Sequence, residues 1–155
     1  MTVATVGLVD VVDVTLSLDT NAYADNDVLA APQEVTNFFR TAGGVVELVN
    51  VTLLDEDDQG QDIDLVFMNA TGSLGAENAA VGPTDAVAGT ILGIVSVVSA
   101  DYSDLANSQV ATKRDLRLFL RGANSTSVWV GAICRGGTPT YTATGIKLKL
   151  GIIRH

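Results

Sequence analysis

Apolar residues recur at every second position along much of this chain, and that period admits little besides β-strands. In VVDVTLSLDT, residues 11–20, Val12, Val14, Leu16 and Leu18 fall on one face while Asp13, Thr15, Ser17 and Asp19 fall on the other. A half-buried strand requires this, because successive side chains leave opposite faces. The pattern returns in Glu47 to Leu54, Asp62 to Met68, Asp115 to Arg121 and Ser127 to Cys134, and again at Ile146, Leu148, Leu150 and Ile152. Turn-forming clusters stand between them: Asp25-Asn26-Asp27, Gly43-Gly44, Gly122-Ala123-Asn124 and Gly136-Gly137. Frequent strands joined by short turns predict an all-β fold, an antiparallel β-sandwich or barrel. Pro32 to Arg40 reads as a strand rather than a short helix. Thr84 to Gly89, with a capping threonine, an acidic first turn and a closing glycine, reads as one helical turn.

At 155 residues the chain is expected to form one domain, residues 1–155. Apolar residues make up 47% and aromatic ones only 5%, so the core is expected to be Val, Leu, Ile and Ala. The first ten residues, MTVATVGLVD, lack a basic leader, and the longest apolar run, Thr90 to Ala100, is about half a membrane span. The expectation is synthesis in the cytoplasm and no membrane partner. Residues 1–10 have two readings that stand equally open, an arm ordered against a neighbour and an ordinary first strand. Cys134, the lone cysteine, lies in the apolar run VWVGAIC and is expected to be a buried, inert thiol.

The formal charge is −9, but 17 of 18 carboxylates precede residue 113 and eight of nine basic residues follow residue 112. The plainer reading is that acidic and basic strands neighbour one another. The sharper reading is a molecule acidic toward solvent and basic toward a partner, with Arg117, Arg121, Lys147 and Lys149 as interface candidates.

The stretch LDEDDQGQDID, residues 54–64, holds six carboxylates. Aligned to an EF-hand loop, Asp55, Asp57, Gln59 and Gly60 take the first, third, fifth and sixth positions, but Val66 stands where a bidentate Glu belongs. The flanks alternate as strands rather than helices, so an acidic hairpin loop is expected and no metal ligand is assigned, with a loose calcium site of another kind over Asp55 to Asp64 as the lesser reading. Catalytic parts are missing too. The one histidine is His155, no serine sits in G-x-S-x-G, and GGTPTYTATG lacks the phosphate-loop spacing. Nucleic-acid binding is disfavoured by the acidic total and by the scarcity of aromatics among the basic residues.

Several stretches, LSLDTNAYADNDVLA, LLDEDDQGQDIDLVFM, ILGIVSVVSADYSDLANSQVAT and GTPTYTATGIKLKLGI, resemble the capsid decoration, or cement, proteins of tailed bacteriophages. The resemblance implies a jelly-roll-like β-sandwich without enzymatic activity or cofactor. It also implies a small homo-oligomer, commonly a trimer, that binds the major capsid protein on the outer surface of the virion and bridges neighbouring capsomers. The competing expectation is a carbohydrate-binding or adhesion module, with Tyr102 and Tyr141 as the sugar-stacking candidates, because Trp129 in VWVGAIC reads as core or interface.

Overall fold

The alternating stretches fold as strands. A computed structural model describes residues 7–155. Its strands are β1 (Val9–Thr15), β2 (Val28–Val35), β3 (Val45–Asp55), β4 (Ile63–Met68), β5 (Ile91–Val97), β6 (Tyr102–Asp104), β7 (Gln109–Lys113), β8 (Leu118–Arg121), β9 (Val128–Cys134) and β10 (Ile146–Arg154). One helical turn, α1 (Asp85–Ala88), begins at Thr84, whose hydroxyl accepts from the Val87 amide at 3.3 Å, as the sequence predicts. A 3-10 turn, Ser99–Asp101, is the other helical element.

Two antiparallel sheets result. The first runs β1-β10-β3-β7-β6, with β8 also paired to β3, and the second runs β2-β9-β4-β5. β8 takes the first half of β3, from Val45 to Leu48, and β7 the second, from Val51 to Asp55. The pairing is nested: β1 lies beside β10, β2 beside β9, β3 beside β8 and β4 beside β5. A long hairpin rolled into two layers has this connectivity, which is the jelly roll, with β6 and β7 as an added hairpin.

The main core lies between the sheets. Val46, Leu48, Val51 and Leu53 of β3 and Ile146, Leu148, Leu150 and Ile152 of β10 face Leu65 and Phe67 of β4 and Val128, Val130 and Ala132 of β9, all buried. Each such aliphatic side chain contributes about 1.5–3 kcal/mol by leaving water. Leu16 and Leu18 continue the inward alternation beyond β1, their amides donating to Ile146 O and Ala143 O at 3.0 Å each. A second cluster lies on the far side of the second sheet. There Leu74, Val81 and Val87 of the β4–β5 connection cover Val28, Val66, Met68 and Ile133.

Several expectations need correction. The acidic stretch is not a hairpin loop: β3 and β4 belong to different sheets, so residues 56–62 form an arch from one layer to the other. The predicted strand over Pro32 to Arg40 begins earlier, at Val28, and stops at Val35. Pro32 falls at a register shift on an edge strand, where a missing amide is tolerated. Asn37 then turns the chain with φ 55°, and Phe38 and Phe39 are both buried, their rings edge to face at 5.2 Å. Of Asp115 to Arg121 only Leu118–Arg121 is strand, because Asp115 and Arg117 both have positive φ. Of the proposed N-terminal arm, Val9 and Asp10 belong to β1, and residues 1–6 lie outside the described residues.

Candidate functional site

Among the described residues, one sheet is covered on its outer side and the other is not. No cover comparable to the β4–β5 connection lies over the outer side of the first sheet among the described residues. There β1, β10, β3 and β8 place Val9, Ile153, Glu47 and Phe119 in one cross-strand row, about 14 Å long at about 4.8 Å per strand. Val9 is 74%, Val11 60% and Phe119 59% exposed, the two valines on β1 at one side of the face and Phe119 at the other, with the Glu47 carboxylate between Ile153 and Phe119. His155 joins the face: its amide donates to Val45 O at 2.9 Å and its ring lies 6.1 Å from that of Phe119.

All four basic candidates reach this same face. Lys147 and Lys149 alternate with the buried Leu148 and Leu150 of β10, while Arg117 and Arg121 flank Phe119. They form two groups and not one stripe. Arg121 is opposite Val45 and Lys147 opposite Leu54, about 30 Å apart along β3. Three are paired at home: Lys147 with Glu56, Lys149 with Asp13 at 3.2 Å and Arg117 with Glu47 at 3.8 Å. Among the described residues only Arg121 of the four has no ion-pair partner. Exposed pairs of this kind are each worth about 0–1 kcal/mol; their larger effect is to leave the face close to neutral on an acidic protein. A cavity of about 300 Å³ lies between the two lysines and Asp13, Thr15, Thr52 and Glu56.

β1 is an edge strand, and side chains blunt its edge. The Val11 amide donates to its neighbour Asp10 at 2.8 Å, and Gln33 donates to Thr15 O at 2.8 Å while accepting from the Ser17 amide at 3.2 Å. Strand addition at this edge is thereby disfavoured.

The acidic arch is occupied by its own fold. Asp55 is fully buried, and its carboxylate accepts from the amides of Asp57 at 3.0 Å and of Gln59 and Gly60 at 2.8 Å each. Asp57 accepts from the Thr142 amide and hydroxyl, Asp58 from Gln109, Asp62 from the Ser99 amide, and Asp64 from Ser96 and Arg135. Gly145 makes the approach possible, since a Cβ there would fall 1.8 Å from an oxygen of Asp57. Among the described residues no three His, Cys, Asp or Glu side chains are grouped as metal ligands. Burial pushes the Cys134 thiol up, which keeps it protonated and unreactive.

Neither tyrosine candidate stands free as a platform. Tyr141 is 2% exposed and packs at 6.2 Å from Tyr23, while Tyr102 is half-buried and donates to Gln61 O at 2.9 Å. Tyr23 is fully satisfied, accepting from the Asp19 amide at 2.7 Å and donating to Leu29 O at 2.8 Å, whereas the buried Tyr141 hydroxyl has no partner among the described residues. Tyr141→Phe is therefore expected to stabilise the fold by about 1 kcal/mol and Tyr23→Phe to destabilise it by about 1–2 kcal/mol in urea unfolding. Equal effects of the two would contradict the difference in their bonding.

The sequence reading did not single out Val11 and Phe119, although the alternation that turns Val12, Val14 and Leu120 inward already turns them outward. No protein-family model and no curated protein matches the chain. The solved structures it is similar to include a chain described as Desmodium yellow mottle tymovirus, with TM-score 0.30 and 7% identity over 99% of this chain and 86% of that one. A likeness at that level carries no argument.

Proposed function

We propose that this chain is a non-enzymatic structural protein of a tailed-phage virion, which decorates the outside of the capsid and bridges neighbouring capsomers. The observation that carries this reading is the outer face of the first sheet, uncovered among the described residues, with exposed Val9 and Val11 at one side and Phe119 between Arg117 and Arg121 at the other. The opposite sheet carries a cover instead. The resemblance of the sequence supports the phage assignment. Jelly rolls serve as viral capsid and lectin domains, which supports the reading as an analogy of fold. The partner is the major capsid protein, and the chain acts as a trimer whose weak contacts add through symmetry. It is made in the host cytoplasm and needs no cofactor.

Co-sedimentation with empty capsids, with light scattering to count copies, tests this. Burying Phe119 against the lattice is worth about ten- to a hundredfold in affinity, so Phe119→Asp is expected to lose that much while folding normally. Because three of the four cations already have partners, the salt dependence is expected to be shallow. Steep salt dependence with Phe119→Asp unchanged would move the docking to the cations. Failure of the wild type to bind capsids, or a monomer in solution, would overturn the reading.

A further inference from the structure

Among the described residues, β5 is the one sheet-bordering strand with a regular run that nothing protects from pairing. β1 is blunted by Asp10 and Gln33. β2 holds Pro32, Glu34 and two register shifts, β6 is three residues long and ends in Asp104, and β8 is four residues long and ends in Arg121. Short edges, prolines, bulges and charges all keep an edge from adding a strand. β5 pairs with β4 on one side only, and residues 86–100, AVAGTILGIVSVVSA, contain neither a charge nor a proline. Its register shift lies at its start, opposite Phe67 and Met68, and leaves Gly93 to Val97 regular. The Ser96 hydroxyl turns back to Asp64 of β4 at 2.6 Å and does not cap the edge. The open run stops at Val98, whose amide donates to Asp101 at 2.9 Å.

We infer that a second copy of this chain occupies this edge, its β5 pairing antiparallel with the first across a two-fold axis. A strand edge offers a row of amides and carbonyls, so the partner it fits is an extended strand. The charge of the protein selects which strand. Two copies of charge −9 repel one another, but along residues 86–100 that repulsion has no local source, and a charged strand would find no counter-charge there. The contact is also self-consistent in its faces. A two-fold axis normal to the sheet puts the buried Val95 and Val97 of both copies on the core side, and Ser96 and the 48% exposed Ile94 of both on the outer side. The two four-stranded sheets then join into one. This contact goes beyond the trimer proposed above, since a two-fold contact links one trimer to the next.

Cysteines at the edge test it. Ile94→Cys and Ser96→Cys are oxidised singly and as an equimolar mixture, because directly opposed residues of an antiparallel pair lie within disulfide reach. The expected result is a disulfide-linked dimer in at least one of the three preparations, and none from Leu105→Cys, an exposed residue of the β6–β7 turn. In light scattering of the wild type, a species of twice the mass is expected to grow with concentration. Ile94→Lys sets like charges on both copies and is expected to move that doubling to about tenfold higher concentration, with the urea midpoint unchanged. No cross-link in any preparation, or a doubling that Ile94→Lys leaves in place, would overturn the inference. Cross-linking of Ile94→Cys to the capsid protein instead of to itself would hand the edge to that protein and also overturn it. A trimer that binds capsids but never doubles would sink this inference alone, whereas a monomer that doubles to a dimer would uphold it and remove the trimer.

Discussion

Replacing Arg154 with methionine is expected to cost about 3–5 kcal/mol, the largest single-residue loss outside the apolar core. The side chain is 3% exposed at the end of β10. Its guanidinium donates to Phe38 O at 2.8 Å, Asn37 O at 3.0 Å, Gly7 O at 2.7 Å and Asp10 Oδ2 at 3.0 Å. One group thus ties the start of β1 and the β2–β3 turn to the last strand. Methionine keeps the stem and removes every donor, so the cost comes from carbonyls left unpaired rather than from a cavity. Asp10 is half-exposed, and Asp10→Asn is expected to cost less than about 1 kcal/mol. Arg154→Lys is expected to recover less than half of the loss, because a single ammonium cannot reproduce the planar fork. Urea unfolding distinguishes these: a loss below about 1 kcal/mol for Arg154→Met would mean that the carbonyls find other donors.

Asp55→Ala is expected to cost about 2–4 kcal/mol, since three amides of the arch lose their acceptor together. Asp55→Asn adds a test in pH. Burial pushes the Asp55 carboxyl above its usual range, and the three amides pull it back only in part. A folded-state pKa raised in this way gives stability that is fully present below the unfolded value, about 4, and lost as pH rises through the folded value. Asparagine does not titrate, so the gap between wild type and Asp55→Asn is expected to narrow as pH rises from 4 toward 7. A gap that widened instead would mean that the amides hold the carboxylate below its usual value.

Both residues were legible in the sequence, though neither stood out. Asp55 continues the inward parity of Val51 and Leu53, and Arg154 that of Ile152. The eye takes a carboxylate in LDEDDQ for a solvated one, when the strand's own period already turns it inward. β1, β3 and β10 were readable because each alternates over enough residues to fix a face, and β9 because it is a short, continuous apolar run. The arch was not: a local pattern shows that two strands are joined, but not whether they pair or cross between layers, since partner choice is settled by distant strands. Phe38 and Phe39 break the alternation because a turn presents both to the core. The four basic residues reach one face in two separate groups, and their carboxylate partners come from β1, β3 and the arch, which no spacing along the chain reveals.

The nested pairing also decides when this protein can fold. β10 lies between β1 and β3 and makes ladders with both. During synthesis, therefore, β1 waits without a partner until residues 146–154 emerge, about 140 residues after its own appearance. Pairings so distant must close a large loop before any contact repays it, so folding is expected to follow synthesis, on the ms–s scale of all-β domains. During that interval the alternating strands are exposed. The polar and charged residues at every second position along them then serve a purpose besides facing water in the finished sheet, keeping each waiting strand from pairing with a neighbouring chain.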